Sequence, residues 1–163
     1  MPRILPHHLD AAQIQIEPWI QSEILARVDE LHRQQPLLLT VVLALTRFGA
    51  SNAQVDIPLR ILLVLYQAVQ EAGAQLRLIS ESDLEWACQR VAARIHQMEQ
   101  AHGTRKAEIL LQQVRAFHEP ALMHRAFSLL KAQGIEVAQD ETEKMILLAV
   151  FQIVEAISLA LRG

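Results

Sequence analysis

The sequence predicts an all-α fold, a single-domain helical bundle of about seven helices, several of them nearly fully buried. Leucine (25), alanine (22) and glutamine (17) dominate the 163 residues, and all three lose little on entering a helix. Four threonines and seven aromatic residues are poor stock for a large sheet. The glycines and prolines, moreover, fall where helical apolar patterns begin and end.

The N-terminal residues come first. Pro2 and Pro6 argue against an early helix, and Gln13-Ile14-Gln15-Ile16 alternates polar and apolar as a strand does. An extended N-terminal arm is therefore expected over 1–17, ahead of an all-helical domain over 18–163.

The first helix is predicted over 18–34, with Ile20, Ile24, Val28 and Leu31 on one face. Glu23 with Arg27, and Asp29 with Arg33, form i,i+4 pairs outside it. The second, 36–48, is apolar nearly all round. The third begins near Asp56, read as an N-cap ahead of Pro58, and ends before Gly73. The fourth follows Ser82-Asp83-Leu84-Glu85, a capping-box pattern, and ends at Gly103. The fifth spans 104–117 behind Thr104. The sixth opens at Pro120 and ends before Gly134. The seventh starts from Asp140, with Glu143 three residues on, and runs almost to the last residue. Gly49, Gly73, Gly103 and Gly134 each follow a helical pattern, as a left-handed C-terminal residue does. Their similar spacings invite a helical repeat, but the segments between them do not match one another.

Composition excludes several classes. With 52% apolar and 20% charged residues the chain is not intrinsically disordered. A single cysteine, Cys88, excludes an internal disulfide framework. A net charge of −3 argues against a protein that coats nucleic acid. The opening residues lack an apolar core of the kind a secretory signal carries. The charge-free stretches 36–46 and 145–154 fall short of the ~20 residues that span a bilayer. The expectation is a cytoplasmic protein of bacterial type with no membrane span.

The second, third and seventh predicted helices carry too little polar surface. The last shows only Lys144, Gln152, Glu155 and Arg162 as a polar strip. Such helices must be covered on most sides. A central helix wrapped by others accounts for part of this surface, and a second subunit accounts for the rest, which predicts a homo-oligomer, a dimer by preference. In the fourth helix Leu84, Cys88, Val91, Ile95, Met98 and His102 step as an a/d seam, expected to pack inside the bundle with Cys88 as a small buried hydrophobe.

Catalytic chemistry is hard to place. Glu99-Gln-Ala-His102 and Asp29-Glu-Leu-His32 are acidic-x-x-His pairs, and paired Glu-x-x-His motifs bind di-iron centres in helical bundles, where Glu155 would serve as a further carboxylate. Both histidines sit in a last turn, where a cation favours the helix dipole, so capping explains them without metal. His118, Glu119 and His124 do not share a helical face, and His7-His8 is expected in solvent. No serine lies in a G-x-S-x-G context, and no glycine-rich phosphate loop exists. Residues 77–131 hold eight basic and six acidic side chains, so Arg90 and Arg94 form at most a modest basic patch.

The sequence thus predicts no catalytic, cofactor-binding or metal residues. Its leading expectation is a non-catalytic helical protein that works through protein contacts, with itself and with another protein partner. The alternatives are a metal-binding or small apolar-ligand-binding bundle and a DNA-binding regulator, with nucleic acid the least favoured partner.

Overall fold

Proline and glycine set many of the helix boundaries in the computed structural model, which describes residues 3–99 and 118–162. Seven α-helices and one short 3-10 helix form among these residues, with no strand. The fifth predicted helix, 104–117, lies outside them.

Helix α1 (Pro6–Ile16) corrects the expectation of an extended arm. Pro6 occupies the first helical turn, where its missing N–H costs nothing and its fixed φ favours the helix. It therefore starts the helix that it was expected to prevent. The Leu5 N–H donates to His8 Nδ1 at 3.0 Å, so His8 closes the first turn instead of standing free in solvent. The buried face is Leu9, Ala12 and Ile16, steps of three and four. The 13–16 alternation misled because Ile14 is 71% exposed while Ile16 is buried.

Helix α2 (Gln21–Gln34) starts three residues after Pro18, once Glu23 Oε2 has accepted the Ile20 N–H at 3.0 Å. Ile24 and Leu31 are buried and Val28 is half-buried, but Ile20 is exposed, ahead of the helix. Helix α3 (Pro36–Leu43) continues into a 3-10 turn (Ala44–Phe48) that ends at Gly49, whose φ of +87° favours glycine. These two together fill the predicted 36–48 element.

Helix α4 (Asn52–Glu71) begins four residues before Asp56. Ser51 and Gln54 form the cap: Gln54 N–H donates to Ser51 Oγ (3.2 Å), and Ser51 N–H donates to Gln54 Oε1 (2.9 Å). Asp56 instead pairs with Arg60 on the helix flank. Ile61 to Leu65 are five consecutive buried residues, which places α4 at the centre. Helix α5 (Glu81–Glu99) is capped by Ser80 with Asp83, not by Ser82 with Glu85. Helix α6 (Pro120–Ala132) buries Leu122, Met123, Ala126 and Leu130. Helix α7 (Glu141–Arg162) opens as expected, with Glu143 N–H on Asp140 Oδ1 at 2.8 Å.

The core is one cluster to which every one of these helices contributes. Helix α4 packs against α1, α3, α6 and α7, and α7 packs against α3, α4, α5 and α6. The apolar circumference of the predicted third and seventh helices is thus covered by neighbours in the same chain. Helix α3 is covered less completely: Leu38, Leu39 and Val42 are buried, but Leu43 and Phe48 of the adjoining turn are half or more exposed.

A count of charge-free residues understates α7. Its span Glu141–Leu161 is long and apolar enough to cross a membrane by length and composition, and 61% of its apolar window is buried within the fold. Core helices pass the same test.

Candidate functional site

Helices α3, α5 and α7 do not close completely on one another. A groove of about 390 Å³ runs between them. One wall is Val41, Ala44 and Leu45 with Phe48 from the 3-10 turn. The other is Cys88, Val91 and Ala92 of α5, and Met145, Leu148, Ala149 and Gln152 of α7 complete the lining. Thr40 and Gln152 are its polar members, and among the described residues no charged side chain lines it. Gln152 is engaged, its amide donating to the Leu84 carbonyl at 3.1 Å.

Cys88 lies in this lining and is exposed, contrary to the expected seam. The inward line of α5 is instead Leu84, half-buried, with Ala87 and Val91, both buried. The two lines share Leu84 and Val91 and differ only in taking Ala87 for Cys88, positions about 100° apart around the helix, so the thiol falls beside the inward face and toward the groove mouth. Met98 and His102 of the expected seam lie outside the residues whose side chains are described.

The next residue on the buried line is Arg94, which no apolar pattern would select. Its Nε lies 3.0 Å from Glu155 Oε1, and Arg90 Nε lies 3.4 Å from Glu155 Oε2. Glu155 is 1% exposed, between the buried Val154 and Ala156 of α7. Arg90 also stacks its guanidinium 4.8 Å from the centre of the Trp86 ring. Burial pulls the Arg94 guanidinium below its ordinary value; Glu155 opposes that shift and Arg90 adds to it. Among the described residues, Arg90 Nε and Glu155 Oε1 are buried without a well-directed hydrogen bond. The cluster is therefore a buried carboxylate held between two guanidinium groups.

This arrangement answers two sequence expectations. Glu155 faces arginines, so it is not a spare carboxylate for a metal. Arg90 and Arg94, the pair read as a basic patch, face a carboxylate of their own chain. The signal was present in the sequence: a carboxylate inside an apolar helix needs a cation, and an arginine pair one turn apart in another helix can supply one.

The remaining candidates do not converge. Asp29 and His32 are both exposed on α2. The Glu99 side chain and His102 lie outside the described set. Among the described residues no group of three or more His, Cys, Asp or Glu side chains is placed to hold a metal ion. His118 and His124 are exposed, whereas Glu119 is buried and accepts the Arg3 and Ile4 N–H groups at 2.9–3.1 Å. A second depression, of about 430 Å³, is lined by Gln34, Gln35, Gln70 and Gln75 around Tyr66. The Tyr66 hydroxyl donates to Gln34 Oε1, and burial raises its phenol above the ordinary value, against the hydrogen bond from Gln70.

No protein-family model, curated protein or solved structure matches this chain.

Proposed function

We propose that this protein acts without catalysis, through protein contacts made at the open groove between α3, α5 and α7, including pairing with a second copy. One observation carries the reading. Among the described residues the groove is apolar, bears no charge on its lining and has Phe48, 57% exposed, in its wall. Interface cores share that depletion of charge, and amphipathic helices dock in apolar grooves of this kind. A closed two-fold dimer is the simplest assembly that would cover it.

The volume also suits a small apolar ligand, so the test separates the two occupants. Native mass spectrometry and light scattering of the untagged protein at micromolar concentration are expected to give twice the chain mass. The double variant Phe48→Glu, Ala92→Glu places charge on two exposed wall positions and is expected to be a monomer with an unchanged melting temperature. The alkylation rate of Cys88, the sole cysteine, is expected to fall as protein concentration rises. A monomeric wild type with concentration-independent alkylation overturns self-association, and a retained apolar small molecule in that monomer favours the ligand reading.

A further inference from the structure

We propose that the depression around Tyr66 is a binding site for an uncharged carboxamide, free or carried on a peptide side chain. It shares no residue with the groove between α3, α5 and α7 and stands or falls apart from it. Its volume, about 430 Å³, lies within the range of small-molecule sites. Among the described residues its lining is uncharged. Four glutamines and Tyr66 supply the polar groups, and Val69, Leu76 and Leu78 the larger apolar ones. Glu30, whose charge reaches Tyr66, lies outside that lining and is paired with Arg27 at 2.9 Å.

The Tyr66 hydroxyl orders two of these glutamines. It donates to Gln34 Oε1, so the Gln34 amide N–H groups are left to bond elsewhere. It accepts from the Gln70 amide, which leaves Gln70 Oε1 as an acceptor. Gln75 has both ends of its carboxamide unused among the described residues. The lining thus offers donors and acceptors together. A carboxamide carries an acceptor oxygen and two N–H donors in one plane, so it meets both kinds at once. A carboxylate only accepts, and would set an oxygen against Gln70 Oε1. A sugar hydroxyl turns to donate or accept, so it gains nothing from their order.

The frame is set without a ligand. Gln35 is 3% exposed; its amide donates to the Arg77 carbonyl at 2.9 Å and its Oε1 accepts the Ile79 N–H at 3.0 Å. These bonds hold the 76–79 backbone, and with it Leu76 and Leu78, beside Tyr66. A site already formed loses less of its binding energy to the ordering of side chains.

Tyr66 is the sole tyrosine, so an isotope-labelled tyrosine ring in the intact protein gives NMR signals that report on this depression. Titration with N-acetylglutamine methylamide, a peptide-borne amide, and with nicotinamide, a free one, is expected to shift them saturably at millimolar concentration. The tighter of the two names the source. N-acetylglutamate methylamide, the charged isostere, is expected to bind about tenfold more weakly, the loss that an unsatisfied pairing brings. The double variant Gln70→Met, Gln75→Met keeps side-chain size at two exposed positions. It is expected to lose about tenfold in affinity for the amide at an unchanged melting temperature. No saturable shift with either amide overturns the proposal. So does equal binding of the glutamate compound or of glucose, or wild-type affinity in the double variant. A monomeric wild type, which overturns self-association at the groove, leaves this site untouched.

Discussion

Gln35 is 3% exposed, and both ends of its carboxamide are used by the backbone of residues 76–79. Glu119 is 4% exposed and binds the backbone N–H groups of Arg3 and Ile4. Both residue types read from a sequence as surface, and both are buried because their partners are backbone groups distant along the chain. Asp83 was closer to legible. It closes the first turn of α5 and takes a two-pronged contact from Arg77, at 2.6 and 3.0 Å. The Arg77 hydrogen bonds, opposed by burial and aided by Ser80, hold the Asp83 carboxyl well below the usual carboxylate range. A carboxyl whose native pKa is depressed stabilises the fold above its unfolded value near 4 and loses that contribution as pH falls through the native one. The α5 N-terminus is therefore expected to keep its amide protection at pH 4, where ordinary carboxylates are half protonated, and to lose it only in stronger acid. An NMR titration of the Ser80 and Asp83 amides checks this; a midpoint near 4 contradicts it.

At the scale of elements, boundaries were legible wherever one residue type has one backbone use. Pro36 and Pro120 open helices, and Gly49, Gly73 and Gly134 follow helix ends with positive φ. Proline was misread where it has two uses. Pro6 starts α1, Pro18 stands outside α2, and Pro58 lies inside α4 because the Ser51–Gln54 cap begins that helix upstream. Caps compete by geometry: Ser80 with Asp83 prevailed over Ser82 with Glu85, and Arg77 reinforces the pair that formed. The Ser51 cap carries a measurable share of stability. Ser51→Ala is expected to cost about 1 kcal/mol, read as a lower urea midpoint at unchanged slope. The α5 line is the subtler case. Apolar spacing favoured Cys88 over Ala87, since alanine scores weakly as apolar, yet the small side chain is the one buried against the core cluster.

At the scale of the whole molecule, stability centres on α4 and α7. Leu65 is fully buried in α4 within the shared core. Leu65→Ala removes its methyl groups and leaves a cavity, with an expected cost of about 2–5 kcal/mol, seen as a fall in melting temperature on calorimetry. A smaller loss would mean that the neighbouring helices collapse into the space. Helical class, the buried character of α4 and α7 and several of the helix limits were readable in the chain, because periodicity, capping and the backbone limits of proline and glycine act over a few residues. The groove, the exposure of Cys88 and the partners of Glu155, Glu119 and Gln35 were not. Each depends on which face of one helix meets which face of another, and a rotation of one residue, about 100°, exchanges a buried side chain for an exposed one. Local chemistry carries no record of that angle; the packing of distant segments sets it, and the candidate contact surface of this protein lies where that packing stays open.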